Sequence, residues 1–272
     1  MIDKNAEDVN YEIKSGRQDL AAFLRARRNA LRPRDVGIED LIGRHVQGLR
    51  REEVASLAGI STTWYTWIEQ GREINISTEA LERIGRALRL SPKYIDYMKV
   101  LAKADTLPFQ LEPEIPDVLR DLVRSHAAAP AYVANPRFDL LVWNEFVSDV
   151  FDYHRSDDAL SRNILWRMFF DPARKHLYVD WQHAATMCVA NFRHVYAHYR
   201  DEPHFAQLLD TLQASDEFSE MWERWDVLAP MDTEPFLVRD RARGLCELVP
   251  VQATLDAAPG CYLVILSCMQ RS

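Results

Sequence analysis

The sequence predicts an α+β protein in two parts, an all-helical N-terminal domain and a C-terminal domain of mixed helices and strands. Three observations carry this. Residues 17–104 read as consecutive short helices punctuated by Gly and Pro. A stretch with three prolines and three acidic residues follows, ADTLPFQLEPEIP at 104–116, the composition of a linker. Beyond it, short apolar runs bounded by turn residues flank a long helical section. With 272 residues, 47% of them hydrophobic, the chain has enough apolar side chain for two cores. The predicted organisation is a loose tail over 1–16, a helical domain over 17–104, a linker over 105–116 and a second domain over 117–270.

Each helix of the first part has its own signal. Asp19 to Leu31 places Leu20, Phe23, Leu24 and Leu31 at helical spacing, and Pro33 and Gly37 interrupt it. Arg51 to Ala58 is a short helix carrying Val54, Leu57 and Ala58, with Gly59 at the position a helix C-terminus wants. Ser61 can cap the next helix, Thr62 to Gln70, which Gly71 ends. Ser77 or Thr78 opens another through Leu81, Ile84 and Leu88, and Ser91-Pro92 opens the last. In the second part, Ala131–Val133 and Phe138–Trp143 form a hairpin around Asn135-Pro136. Helical text runs from Asn144 to about Val227, broken at Asp171-Pro172, Asp201–Pro203 and Ala214-Ser215. Strands return at Pro235–Arg239, Cys246–Leu255 and Cys261–Cys268.

Composition narrows the function classes. The net charge is −8, yet residues 1–105 carry 18 Lys and Arg against 16 Asp and Glu, and the remainder 15 against 25. Within 17–51, nine arginines face four acidic residues. Positive charge is concentrated where a phosphate backbone would need it, although a solvated helical face reads the same way. The four cysteines form no CxxC pair, and those at 246, 261 and 268 lie in apolar runs, so a reduced, cytoplasmic setting is expected. No apolar run is long enough for a membrane span, and the opening MIDKNAEDVNYEIKSG has no apolar segment of a secretory signal. No nucleophile elbow, phosphate-cradling loop, dinucleotide fingerprint or H-E-x-x-H pattern is present. His194 and His198 stand four apart with His183 before them, a spacing read here as surface histidines rather than a metal site. The chain is therefore not read as an enzyme, and no catalytic residue, metal or cofactor is predicted.

The informative stretch is GLRREEVASLAGISTTWYTWIEQG at 48–71. Its physics is a helix, a tight turn at Gly59 where φ must be positive, and a second helix. Val54, Ala58, Ile60, Tyr65 and Ile68 form its inner face, small Ala55 allows a close crossing, and the Ser61 end is left free. In Val54, Ala55, Ala58, Gly59, Ile60, Ser61, Ile68, Glu69 and Gly71 the chain resembles the xenobiotic-response-element (XRE) family of helix-turn-helix regulators, which includes the phage repressors. The longer string resembles the MmyB-like branch. The resemblance implies a transcription regulator that binds double-stranded DNA, as a homodimer on two half-sites. It implies that Arg51, with Arg50, meets backbone phosphate, that Ser61 caps the recognition helix and donates to phosphate, and that Thr62 and Thr63 face base edges. Thr66 and Trp67 lie one turn on, and Arg72 is a further phosphate contact. Trp67 departs from the family, which carries a polar or basic residue there; it can pack on sugar, a thymine methyl or a neighbouring helix.

The string AYVANPRFDLLVWNEFVSDVF at 131–151 reads as a hairpin running into a helix. With RNILWRMFFDP, LLDTLQASDEFSEMWERWDV and a three-strand ending, it resembles the PAS-like ligand-binding domain of MmyB-like regulators. That implies a pocket for a small hydrophobic ligand such as a fatty acid. The family's His-Pro segment before the late strands is replaced by PFLVRDRARGLCELVPV. Arg193, in an otherwise apolar helix, is the expected partner of a ligand carboxylate, unless it serves a structural ion pair. Asn144, Arg162 and Asn163 are further polar candidates. Trp143, Trp166, Phe170 and Met187 are candidates for the channel wall, each equally readable as core. The alternative function is a non-sensing regulator whose C-terminal domain serves dimerisation or protein interaction.

Overall fold

The computed structural model of the protein describes residues 16–39, 48–103, 107–153, 160–227 and 234–270. The predicted tail, Gly16 excepted, and the start of the predicted linker lie outside them. The fold is α+β, as the sequence predicts.

Among the described residues five α-helices build the N-terminal part: α1 (Gly16–Ala30), α2 (Arg51–Ala58), α3 (Thr62–Glu69), α4 (Thr78–Ala87) and α5 (Pro92–Ala102). Their starts follow local chemistry. Ser61 and Ser77 accept hydrogen bonds from the backbone N–H groups of Trp64 and Ala80 at 3.1 and 3.2 Å, and Pro92 occupies the first turn of α5. Gly59 closes α2 in the left-handed region at φ 65°. Gly48 is required for a different reason: a Cβ there would lie 2.5 Å from the Asn29 backbone. Phe23, Leu24, Val54, Tyr65, Ile68 and Ile84 fill the centre and are almost wholly buried. Each fully buried side chain of this size contributes roughly 1.5–3 kcal/mol.

The C-terminal part is a five-stranded antiparallel sheet in the order β2-β1-β5-β4-β3. Its strands are β1 (Ala131–Ala134), β2 (Leu140–Trp143), β3 (Phe236–Asp240), β4 (Gly244–Thr254) and β5 (Tyr262–Gln270). The first hairpin and the last three strands meet because β1 pairs with β5, Ala131 opposite Ile265. Among the described residues the predicted helical text holds six α-helices: α7 (Glu145–Phe151), α8 (Ile164–Phe170), α9 (Pro172–Leu177), α10 (Trp181–Tyr199), α11 (Pro203–Gln213) and α12 (Asp216–Glu223). The polar breaks are their caps: Asp171 starts α9 and Ser215 starts α12. One sheet face carries the main core, where Leu140, Leu248, Val264 and Leu266 meet Phe192 and Phe205.

Two features depart from expectation. The stretch after 107 is not a free spacer. Leu107 N–H donates to the His198 carbonyl at 2.9 Å, Phe109 packs edge-on to Phe205 at 5.0 Å, and Ile115 is buried. Its prolines shape a strap held to the second domain. That strap leads into α6 (Asp117–Ser125), a helix hidden by charge-rich text, whose Leu119 and Val123 pack on the outer face of the sheet.

The two parts meet along α1 and α5 on one side and α10 with the end of α12 on the other. Ala197, Trp225 and Val227 join the N-terminal core, and the Phe23 ring stands edge-on to Trp225 at 6.2 Å. Arg27 donates to the Trp225 carbonyl and lies 3.5 Å from Asp226. Arg200 reaches across to the Lys103 carbonyl at 2.7 Å.

Candidate functional site

The first site is the outward end of α3. Ser61, Thr62 and Thr63 are all exposed, and the C-terminal domain packs against α1 and α5, away from this tip. The tip is a helix N-terminus, with free backbone N–H groups and the positive end of the dipole. Thr66 is half-buried and donates to the Thr62 carbonyl at 2.8 Å, so its hydroxyl is engaged within the helix. Trp67 is 37% exposed, with the Arg72 guanidinium 5.6 Å over its ring. Arg50 caps α2, its backbone N–H donating to Glu53 at 2.6 Å, and its side chain lies out near Glu52 at 3.4 Å.

Arg51 is held from beneath. Its Nε donates to Glu69 Oε2 at 2.7 Å, while the side chain stays 44% exposed. The Glu69 carboxylate is fully buried and also accepts from Arg28 at 2.6 and 3.2 Å; Arg28 in turn donates to the Leu49 carbonyl at 2.7 Å. Burial pushes the Glu69 carboxyl up, but the hydrogen bonds from Arg28 and Arg51 outweigh it and hold it below its ordinary value. This network corrects the reading of the arginine cluster: Arg27 and Arg28 are spent inside the molecule. Sequence reasoning also missed Arg83, whose Nη1 reaches the Gly59 carbonyl at 3.5 Å and braces the turn from α4.

The second site is a cavity of about 160 Å³ between the inner sheet face and α7 to α10. Its wall is mostly apolar, with Phe138, Val147, Ile164, Met168 and Phe236 among the lining. Polar groups enter from Arg174, the tyrosines at 132, 153, 178 and 262, Cys188 and Asn191. Burial pushes the Tyr153 phenol and the Cys188 thiol up to about 12, so both stay protonated. At the mouth, exposed His183 lies 3.4 Å from Glu234.

Of the eight residues the sequence offers for ligand contact, Met187 lines this cavity. The other seven stand elsewhere for physical reasons. Arg193 is the largest fully buried side chain. Its guanidinium is sandwiched 3.8 Å from the Trp222 ring and 4.4 Å from Trp225, donates to the Trp222 carbonyl and faces Tyr97 of α5. It belongs to the seam between the domains. Asn144 caps α7, accepts from Ala131 and Val147 at 3.1 Å each, and donates to His126 and Ala129 at 2.6 and 2.8 Å. Asn163 caps α8 and donates to Arg137 and Asp139 at 2.8 Å each. Both amides are consumed within the fold, Asn144 on backbone groups and Asn163 on backbone and the Asp139 carboxylate. Arg162 pairs with Glu112 of the strap at 3.1 Å. The Trp143 indole donates to Ser148 and the Tyr153 carbonyl, and Trp166 stacks on Phe170 at 5.8 Å. His194 and His198 are half-buried rather than on the surface, His194 packing 6.4 Å from the Tyr97 ring. Among the described residues no group of three metal-ligating side chains occurs, and no helix is long and apolar enough to cross a membrane.

Comparison with known families agrees with both halves of this picture. A model described as a helix-turn-helix domain matches residues 19–96. A model described as the MmyB-like transcription regulator ligand binding domain matches residues 115–272. No curated protein is similar enough to the chain to count as a match. The second model spans more than half of the sequence, and the chain belongs to the MmyB-like transcription regulators, DNA-binding proteins that join a helix-turn-helix domain to a ligand-binding domain.

Proposed function

We propose that the chain is a sequence-specific, ligand-responsive regulator that docks α3 into the major groove of double-stranded DNA as a homodimer. Thr62 and Thr63 face the base edges, where a hydroxyl reads either donor or acceptor and a methyl suits thymine. Ser61, Arg50, Arg51 and Arg72 take phosphates, and Thr66 and Trp67 lie against the groove wall. The observation that carries this is the exposed α3 tip flanked by arginines, with the C-terminal domain packed against α1 and α5.

In the same proposal the cavity receives a small hydrophobic ligand. Helix α10 connects that event to DNA. Its Ala184, Met187 and Cys188 line the cavity, and its Arg193 and Ala197 meet the DNA-binding domain. A ligand that shifts α10 therefore favours one setting of α1 and α5 over another, provided its affinity differs between the two. An open, apolar cavity supports this over a filled-core dimerisation module.

The test is selection from a random DNA library with the purified full chain. Enriched sequences should contain two half-sites about 34–36 Å, one helical turn, apart. No enrichment, together with no retention of any duplex at low salt, would overturn the reading.

A further inference from the structure

We infer that the cavity takes a small aromatic carboxylate, with its anionic group on Arg174 and its ring among the tyrosines; this rests on the reading of the C-terminal domain as ligand-binding.

Size comes first. An apolar cavity of about 150 Å³ holds benzene, and this one measures about 160 Å³. A long acyl chain needs a multiple of that space. The wall is also aromatic: Tyr132, Phe138, Phe151, Tyr153, Tyr178 and Tyr262 all line it. Such rings offer faces and edges to a flat guest. The Tyr262 hydroxyl is buried with no hydrogen-bond partner, and burial keeps the surrounding phenols protonated, so donors await an acceptor.

Arg174 supplies the charge. It is 3% exposed and lines the cavity. Its guanidinium lies 5.0 Å from the Tyr153 ring and 5.8 Å from the Phe151 ring, and its Nη2 donates to the Phe151 carbonyl. Its Nε is 3.4 Å from Asp171 Oδ2 without forming a hydrogen bond. That same oxygen already accepts two hydrogen bonds from Arg167, at 3.1 and 2.6 Å, and the other oxygen accepts from Ala173 N–H at 3.0 Å. One carboxylate thus serves two guanidinium groups, and it serves Arg167 first. The Nε is the atom of Arg174 that lies buried without a hydrogen-bond partner. A buried cation with an unused donor is costly until an anion arrives. Glu234, more than half exposed, repels an anion, so the carboxylate belongs on the buried guanidinium.

The competing occupant is a fatty acid that runs past Phe138 and Tyr262 into the neighbouring cleft, of about 530 Å³, whose wall shares those two residues together with Asn191 and Gln252. Isothermal titration of the full chain separates the cases, with benzoate, 1-naphthoate, neutral 1-naphthol, decanoate and palmitate as probes. Benzoate or 1-naphthoate should bind saturably, at least tenfold tighter than 1-naphthol, and Arg174→Lys should lose tenfold or more. Circular dichroism checks that this variant is folded; if it is not, Ala184→Leu, which fills the cavity, should abolish binding while keeping the circular dichroism of the wild type. Equal binding of naphthol and naphthoate overturns Arg174 as the anchor. Palmitate binding without either aromatic acid overturns the ligand class and leaves ligand sensing standing. No binding of any probe overturns the ligand class and removes support from ligand sensing as well.

Discussion

Arg28 in the N-terminal domain and Arg174 in the C-terminal domain are both buried, yet their surroundings differ. Arg28 meets both oxygens of Glu69 and the Leu49 carbonyl, with Arg51 completing the set from outside. Arg174 has one backbone carbonyl and a share of a carboxylate committed elsewhere. In the first domain the central buried cation is saturated, while Arg50 and Arg51 keep their side chains partly exposed, where a nucleic acid can reach them. The second keeps free donors inside, around a cavity. A saturated buried charge fixes a shape, whereas an unsaturated one marks a place for something else.

The largest expected effect comes from breaking the saturated case. Glu69→Ala strands Arg28 in the core and releases Arg51, and removing one partner of a buried pair costs about 3–5 kcal/mol. Thermal denaturation of residues 16–103 within the full chain, followed by the fluorescence of Trp64 and Trp67, should show an early separate transition. Unchanged melting would mean that the network is not what holds α1, α2 and α3 together. Acid should act in the same direction. The folded carboxyl is depressed, so its contribution is complete above the unfolded value near 4.5 and is lost as pH falls through the lower folded value.

Next comes the seam. Arg193→Met keeps the volume of a side chain sandwiched between Trp222 and Trp225 but removes its charge and its bond to the Trp222 carbonyl. The expected outcome is ligand binding within a few-fold of wild type together with loss of most of the ligand's effect on DNA affinity. If that effect survives intact, coupling does not pass through this contact and the assignment of α10 fails.

A smaller effect divides the surface donors into kinds. Arg51→Ala should weaken binding to every duplex and reduce the slope of log affinity against log salt by about one phosphate contact. Thr63→Ala should leave that slope alone and relax preference at one base position. A salt slope unchanged in Arg51→Ala would assign its guanidinium wholly to Glu69.

How much of this could be read in the sequence follows the same division. The helix-turn-helix was legible because its signals are local: the left-handed turn at Gly59, the cap at Ser61 and the helical spacing of Val54, Tyr65 and Ile68. The sheet was legible as strands, but its order was not, since β1 meets β5 across more than 120 residues of chain. The cavity was least legible. Arg174 sits beside Lys175 in PARKHL and looks like surface charge; its burial is set by Phe151 and Asp171 on other elements. Arg193 was expected to meet a ligand carboxylate, but chain text does not say which side of α10 faces the cavity and which the neighbouring domain. For Asn144 and Asn163 a signal did exist: each stands just before a helix, where a short amide caps.

The smallest expected effect concerns the seam and pH. His194 packs 6.4 Å from the Tyr97 ring, and burial, reinforced by His198 and only partly opposed by Asp96, pushes its imidazole down to about 4. The separated, unfolded value is near 6.5, so the docked domains exclude a proton that the undocked chain would bind. Docking is complete above pH 6.5 and weakens as pH falls toward 4, by about 1 kcal/mol at pH 5.5. His198 titrates in the same sense, lowered first by burial and then by Arg200 and Lys103. Melting temperatures of the wild type and of His194→Gln, measured from pH 7.5 to 5, should diverge on the acid side, the wild type falling further. Parallel curves would show that the seam opens to water around this residue, and that the contact between α5 and α10 is looser than the packing around Arg193 implies.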